Sequence, residues 1–264
     1  IFLMKLDYFD LISPLPLELY KIGHIKSPKL KEIAEISYFT YAQYVSFLKM
    51  KPIDYYDNLN ENSTDEIKEM IATTKYDLLL LDSNFRDIIC AALNFFFEEN
   101  FKWYEEYEAF ISMSTLQVEP GKEPEYFVTG MISKDNYSEI VDIILQRVHI
   151  TKDENEVDDL SKVKNKRGLR NYLKIHKGRK KFNKKTGGNS SLTLPNIISS
   201  VASKSNNLNW DTIWNITVFQ LFDTFERLQI IDQYDVFSTQ VAVWGDKEKK
   251  FKFGTWSSNI YEKD

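Results

Sequence analysis

Residues 82–97 read Asp82-Ser83-Asn84-Phe85-Arg86-Asp87-Ile88-Ile89-Cys90-Ala91-Ala92-Leu93-Asn94-Phe95-Phe96-Phe97. Asp82-Ser83 is a helix cap, because a short side-chain oxygen there can satisfy the orphan amides of a first turn. Phe85, Ile88, Ile89, Ala92, Leu93, Phe96 and Phe97 then recur at the spacing that gathers side chains on one helical face. So wide an apolar stripe has to be covered by other elements, and the expectation is a helical body. Cys90 lies beside the stripe between Ile89 and Ala91, which reads as a buried structural thiol.

Toward the N-terminus, Leu17, Leu19 and Tyr20-Lys21-Ile22 read as a short strand ending near Gly23. Ser27 reads as the cap of a single amphipathic helix over 28–49, with Pro28 at its first position, and Lys51-Pro52 as its stop. Ser63-Thr64-Asp65-Glu66 is a capping-box pattern ahead of a short helix carrying Ile67, Met70 and Ile71. Toward the C-terminus, two aromatic and β-branched runs flank Glu119-Pro120-Gly121 within 101–132 and predict a β-hairpin. Glu105, Glu106 and Glu108 weaken its first strand, so helix competes there. Ser133 is the expected cap of a helix presenting Tyr137, Ile140, Val141, Ile144, Leu145 and Val148.

Thr151 to Asp159 reads as an acidic connector, and Thr186-Gly187-Gly188-Asn189-Ser190-Ser191 as a flexible linker. Beyond it the spacing predicts three helices, near 195–204, 210–229 and 232–244, with Gly245 as the terminating glycine. Trp210, Ile213, Trp214, Thr217, Val218, Leu221, Phe225 and Leu228 would share the apolar face of the middle one. The fold expected is therefore mostly α (α+β): a helical body with a small β-hairpin over 1–150, a charged helix or linker over 151–191, and a helical C-terminal module over 192–264. No internal repeat is visible.

Composition narrows the function. With 264 residues, 43% hydrophobic and 14% aromatic, the chain has ample material for a core, which excludes wholesale disorder. A single cysteine allows no intrachain disulfide. The longest apolar runs fall well short of the ~20 residues that span a bilayer. Ile1-Phe2-Leu3 is too short for an apolar signal core and Met4-Lys5-Leu6-Asp7 resembles a start, so a soluble, intracellular chain is expected.

Charge is unevenly spread. Residues 162–185 carry 12 Lys/Arg and no Asp/Glu, leaving 34 − 12 = 22 basic against 39 acidic residues elsewhere. Lys174, Lys177, Arg179, Lys180, Lys181, Lys184 and Lys185 mark this segment as a candidate docking arm. A solvated linker helix, a dock for an acidic protein, and a nonspecific nucleic-acid arm are the competing readings. Tyr172 and Phe182 are few aromatics for base stacking, so nucleic acid is the less favoured partner. The apolar face is too thin for a membrane role.

Sites of chemistry are hard to find. His24, His149 and His176 show no metal-ligand spacing. Gly187-Gly188 lacks the phosphate-loop pattern. Glu98-Glu99, Glu105-Glu106 and Asp158-Asp159 are adjacent pairs, which diverge on a helix where paired-carboxylate chemistry needs them to face. No catalytic residue, metal or cofactor is expected. Trp210, Trp214, Leu221, Phe225 and Trp244 are instead candidates for protein binding, since aromatic residues are enriched at interface centres.

A resemblance adds a functional expectation. It rests on Leu192-Thr193-Leu194-Pro195-Asn196-Ile197-Ile198-Ser199-Ser200-Val201-Ala202, Trp214-Asn215-Ile216-Thr217-Val218-Phe219-Gln220-Leu221-Phe222-Asp223-Thr224-Phe225-Glu226-Arg227-Leu228, Tyr234-Asp235 and Ala242-Val243-Trp244-Gly245. This region resembles the C-terminal module of small phage and prophage proteins of Gram-positive hosts, encoded among tail-morphogenesis genes. Ile25 to Ile33 is loosely similar to their N-terminal start. The resemblance implies a noncatalytic tail-assembly chaperone in the host cytoplasm, with tail-tube or tape-measure protein as partner. Its alternatives are a structural component of the tail and virion and a nucleic-acid-binding protein using 162–185. A homo-oligomer is compatible with each.

Overall fold

Helix α1 (Tyr8–Ile12) opens the chain, followed by strands β1 (Leu17–Leu19) and β2 (Gly23–Ile25). Helices α2 (Leu30–Ile36), α3 (Tyr38–Lys49), α4 (Pro52–Tyr55), α5 (Asp77–Leu81) and α6 (Ser83–Phe96) come next. Strands β3 (Phe101–Tyr104), β4 (Ala109–Thr115) and β5 (Tyr126–Ile132) precede α7 (Tyr137–Arg147), α8 (Leu194–Lys204) and α9 (Val218–Trp244). This computed structural model describes residues 5–55, 73–115, 126–150, 168, 171–175, 177–178, 193–247 and 249–261. The expected helix at 63–71, the Glu119-Pro120-Gly121 turn, the acidic connector and the 186–191 linker lie outside the described residues. The chain is mostly α with two small antiparallel sheets, in the orders β1-β2 and β3-β4-β5.

Helix α6 forms as its caps and stripe predict. Asp82 accepts hydrogen bonds from the amides of Asn84 (2.9 Å) and Phe85 (3.2 Å). Phe85, Ile89, Ala92, Leu93 and Phe96 are buried. The ring of Phe95 meets Tyr41 and Tyr44 of α3 at 6.2 and 6.0 Å, and Phe85 meets Phe47 at 5.4 Å. At the far end Asn94 grips the backbone of Phe101: its Oδ1 accepts from the amide (2.6 Å) and its Nδ2 donates to the carbonyl (3.1 Å). That fixes where β3 leaves the helix.

The stretch 28–49 is two helices. Ser37, at φ 76°, ends α2 and caps α3 through its hydroxyl, which accepts from the amide of Thr40 at 3.3 Å. Leu30 and Ile33 face the Ile213–Asn215 turn, whereas Tyr41 and Leu48 are buried on the α6 side. One straight helix could not serve both directions. Nor does Ser27 cap α2. Its hydroxyl accepts from Arg147 Nε at 2.8 Å, and the Glu32 carboxylate accepts from the Lys29 amide at 2.6 Å instead.

Residues 17–25 form a hairpin where a single strand was expected: Leu17 pairs Ile25 and Leu19 pairs Gly23. The expected hairpin over 101–132 is a three-stranded sheet. The acidic residues that weakened its first strand divide it, because Glu105–Tyr107 form a 3-10 turn and Glu108 takes φ 44° between β3 and β4. Gly130 packs against the first hairpin so closely that an added methyl would overlap the Ile22 carbonyl.

In the C-terminal region the expected helices at 210–229 and 232–244 are one helix with a later start. Thr217 and Gln220 form a reciprocal capping box, at 3.2 and 3.0 Å, that fixes its first turn. Residues 210–216 are turn and 3-10 structure ahead of it. Gly245, at φ 76°, terminates α9 as expected.

The N- and C-terminal segments meet directly. Lys29 and Thr217 form an antiparallel bridge, with Leu30 donating to Ile216 and Val218 to Pro28, both at 3.0 Å. Leu194, Ile197, Val201, Ile213, Val218, Phe219 and Leu221 share one buried cluster with Leu30, Ile33, Phe97 and Ile144.

Arg147, 1% exposed, lies inside this assembly. Its guanidinium donates to the carbonyls of Ser13 (3.3 Å) and Leu15 (2.6 Å) as well as to Ser27. Arg147→Met leaves the buried Ser27 hydroxyl and the part-buried carbonyl contacts of Ser13 and Leu15 without their donor and should cost about 2 kcal/mol in denaturant titration, with Arg147→Lys falling between. Gly130→Ala should cost about 2 kcal/mol in the same assay, since backbone must move to admit the methyl.

Candidate protein-binding surface

The candidate aromatic residues divide. Leu221 is fully buried and Phe225 packs half-buried against the core, so both hold α9 in place. Trp210, Trp214 and Trp244 are exposed, at 55%, 37% and 74%. The segment carrying the first two is built around an asparagine turn. Asn209 Oδ1 accepts from the amides of Asp211 (2.9 Å) and Thr212 (3.1 Å), and Ile213 plugs the loop into the core. Trp210 and Trp214 flank that plug and are left outside as a supported ledge. Trp244 belongs to a different place. It lies at the far end of a 27-residue helix, about 40 Å along its axis.

A second exposed apolar area was not read from the sequence as a surface. Tyr126, Phe127, Val128 and Met131 of β5 are exposed, as is Met113 of β4. The aromatic and β-branched run there signalled a strand, but not which of its residues would remain uncovered. Of the candidate docking arm, Lys174 and Lys177 are helical and exposed, and Leu173 beside them is buried. Arg179, Lys180, Lys181, Lys184 and Lys185 lie outside the described residues.

The titratable groups take structural positions. His24 Nδ1 lies 2.7 Å from Glu99 Oε1, and this hydrogen bond raises the imidazole above its ordinary pKa. The Cys90 thiol is half-buried and donates to the Phe101 carbonyl at 3.3 Å; burial pushes it up, which makes the thiolate scarcer. Among the described residues no group of three or more His, Cys, Asp or Glu could hold a metal ion. No described helix is long and apolar enough to cross a membrane.

One polar cluster emerges only in three dimensions. His149, at φ 60°, stacks on Phe222 with centroids 4.9 Å apart. Its Nε2 lies 3.1 Å from the Tyr261 hydroxyl and 3.5 Å from Glu226 Oε1. Tyr261 in turn packs on Tyr8 at 4.8 Å, and the Tyr8 hydroxyl donates to Asp223 at 2.7 Å. Arg227 donates to the carbonyls of Trp256 (3.3 Å) and Ser258 (2.7 Å). The cluster clasps the end of the tail onto α9 and α1. No local pattern announces it, because its members are scattered from position 8 to position 261.

Burial lowers the His149 pKa, outweighing the attraction of Glu226 and Asp223, and raises that of Tyr261. A histidine depressed in the folded state binds protons better when unfolded. Its contribution is therefore complete above the unfolded value of about 6.5 and is lost as pH falls below it. His24 has the opposite sign, so the comparison must isolate His149. The stability difference between wild type and His149→Gln should be largest near pH 8 and shrink toward pH 5 in thermal melts.

Residues 183–261 match the family model described as the YomV second domain, a phage-associated domain. No curated protein and no solved structure matches the chain. The match covers the region that holds α8, the Trp210–Trp214 ledge, α9 and the clasped tail.

Proposed function

We propose that this protein is a noncatalytic phage tail-assembly factor that binds an apolar segment of a tail-tube or tape-measure protein in the cytoplasm of the bacterial host. The observation that carries the reading is the Trp210–Trp214 ledge: two large aromatic side chains held outside the core by a loop whose own plug, Ile213, is fully buried. Such residues bring large apolar area at little entropic cost, because the loop is already ordered. The phage-associated match over the same region and the exposed apolar residues of β5 support it. The basic segment 162–185 supports an accessory role in capturing an acidic partner by raising the encounter rate.

Co-expression tests the proposal. The soluble fraction of tape-measure or tail-tube protein from the same phage should rise several-fold with the wild-type chain. The rise should disappear with Trp210→Ala/Trp214→Ala, whose melting curve should stay close to wild type because neither ring is buried. Unchanged solubility of both tail proteins would count against the chaperone role. Recovery of the chain in purified particles would favour the structural alternative.

A further inference from the structure

After Gly245 the chain turns back along α9 as a strap. Gly245 (φ 76°) and Lys249 (φ 52°) both take positive φ in the reversal, a conformation that strains the lysine. Asp246 closes the turn, its carboxylate accepting from the amides of Lys250 (3.1 Å) and Phe251 (2.8 Å). Further on, the amides of Thr255, Ser257 and Ser258 donate to the carbonyls of Lys252, Gly254 and Thr255, and that of Tyr261 donates to the Asn259 side chain. These hydrogen bonds lie within the strap, so it keeps them if it moves as a unit. Residues 252–259 are exposed.

Side chains tie the strap to the body at separated points. At its start the half-buried Phe251 packs on Tyr234 (5.4 Å) and Phe237 (6.2 Å) of α9. In the middle Arg227 donates to the carbonyls of Trp256 and Ser258. At its end the Tyr261 ring lies against Tyr8 (4.8 Å) and Phe219 (5.2 Å), with its hydroxyl 3.1 Å from His149 Nε2. An exposed segment held in this way belongs to the low-stability end of a fold and can open while the core stays closed.

The anchor at Tyr261 is sensitive to charge. Around His149 stand Asp223, Glu226 and Arg227 of α9, Tyr8 of α1 and Tyr261 of the strap. With Nδ1 carrying the ring proton, Nε2 accepts the Tyr261 hydroxyl hydrogen. Protonation turns Nε2 into a donor, for which the Glu226 carboxylate, 3.5 Å away, is a stronger acceptor than a phenol oxygen. It also leaves a charged imidazole beneath a ring that shuts it from water. Lifting the strap returns that imidazole to water beside two carboxylates. Burial holding His149 below its ordinary pKa agrees with this direction.

We infer that residues 249–261 form a strap that lifts off α9 and α1 while the rest of the fold stays intact, and that protonation of His149 favours the lifted state. Lifting uncovers Tyr8 and a row of aromatic side chains running about 27 Å along α9, from Phe219 to Phe237. An open row of this kind is a surface for association, so the strap controls access to it. The inference does not depend on the tail-assembly reading.

Hydrogen exchange of the full chain tests this, with rates corrected for the pH dependence of exchange itself. At pH 8 the amides of 249–261 should be protected, yet at least about a hundredfold less than those of 221–228. Low urea should speed exchange in 221–228 and leave the strap unchanged, because local opening exposes little surface. Lowering the pH to 5.5 should cut strap protection by between about twofold and about tenfold, the upper bound set by an imidazole that titrates near 6.5 once exposed. His149→Gln should abolish that response, and Phe251→Ala should lower strap protection at both pH values while keeping it. A strap as protected as 221–228, or one that follows urea in parallel with them, overturns independent lifting. Exchange at free-peptide rates at pH 8 overturns the closed strap. A pH response missing from wild type, or persisting in His149→Gln, overturns the role of His149.

Discussion

A guanidinium in the core sets the terms for much of this structure. Arg147 ends α7 with its charge shut away from water, where desolvation alone lowers its pKa. The group stays ionised in any protein, so its fork must be met by acceptors. Here the carbonyls of Ser13 and Leu15 and the hydroxyl of Ser27 meet it. Each belongs to a segment without regular structure of its own. The arginine therefore gives these irregular stretches their place, and they in turn position the helices next to them.

The consequences run along the chain. Holding Ser27 aims Pro28 and Lys29 at Ile216 to Val218, and the bridge formed there locks the start of α9 against the start of α2. Ser13 comes directly after α1, where Gln220 of α9 donates to the Ile12 carbonyl at 2.8 Å. Both contacts seat the first turns of α9, whose capping box already fixes its phase. From that seat the helix runs on past the core. The exposed second half of α9 is thus the geometric result of a firmly anchored first half. The same anchoring leaves Trp210 and Trp214 outside, since the loop before α9 can insert only Ile213.

The two exposed regions differ in build. The ledge at Trp210 and Trp214 is short and rigid, fit for an apolar segment that arrives already ordered or becomes so on binding. The second half of α9 is long and regular, and the returning tail covers part of it through Phe251, which packs on Tyr234 and Phe237. Between them the clasp of His149, Tyr261 and Tyr8 fastens the tail. Its polar groups are partly dehydrated and hydrogen-bonded, an arrangement that holds chain together.

Much of the fold was legible in the sequence. Asp82 and the stripe from Phe85 to Phe96 specify α6, Gly245 specifies where α9 ends, and the mostly helical class arises from such stripes. These features are local: a cap, a period and a stop each act within a few residues. Periodicity says that a face must be buried, but not against what. The break at Ser37, the diversion of Ser27 from cap to arginine ligand, the late start of α9 at Thr217 and the clasp at His149 were therefore decided only by the tertiary structure. At Ser27 a contact with a residue 120 positions away outweighed a local cap preference worth about 1 kcal/mol. The candidate site divided for the same reason: Trp210, Leu221 and Trp244 look alike as apolar residues of a helical region, and only packing against the core determines which of them remain available to a partner.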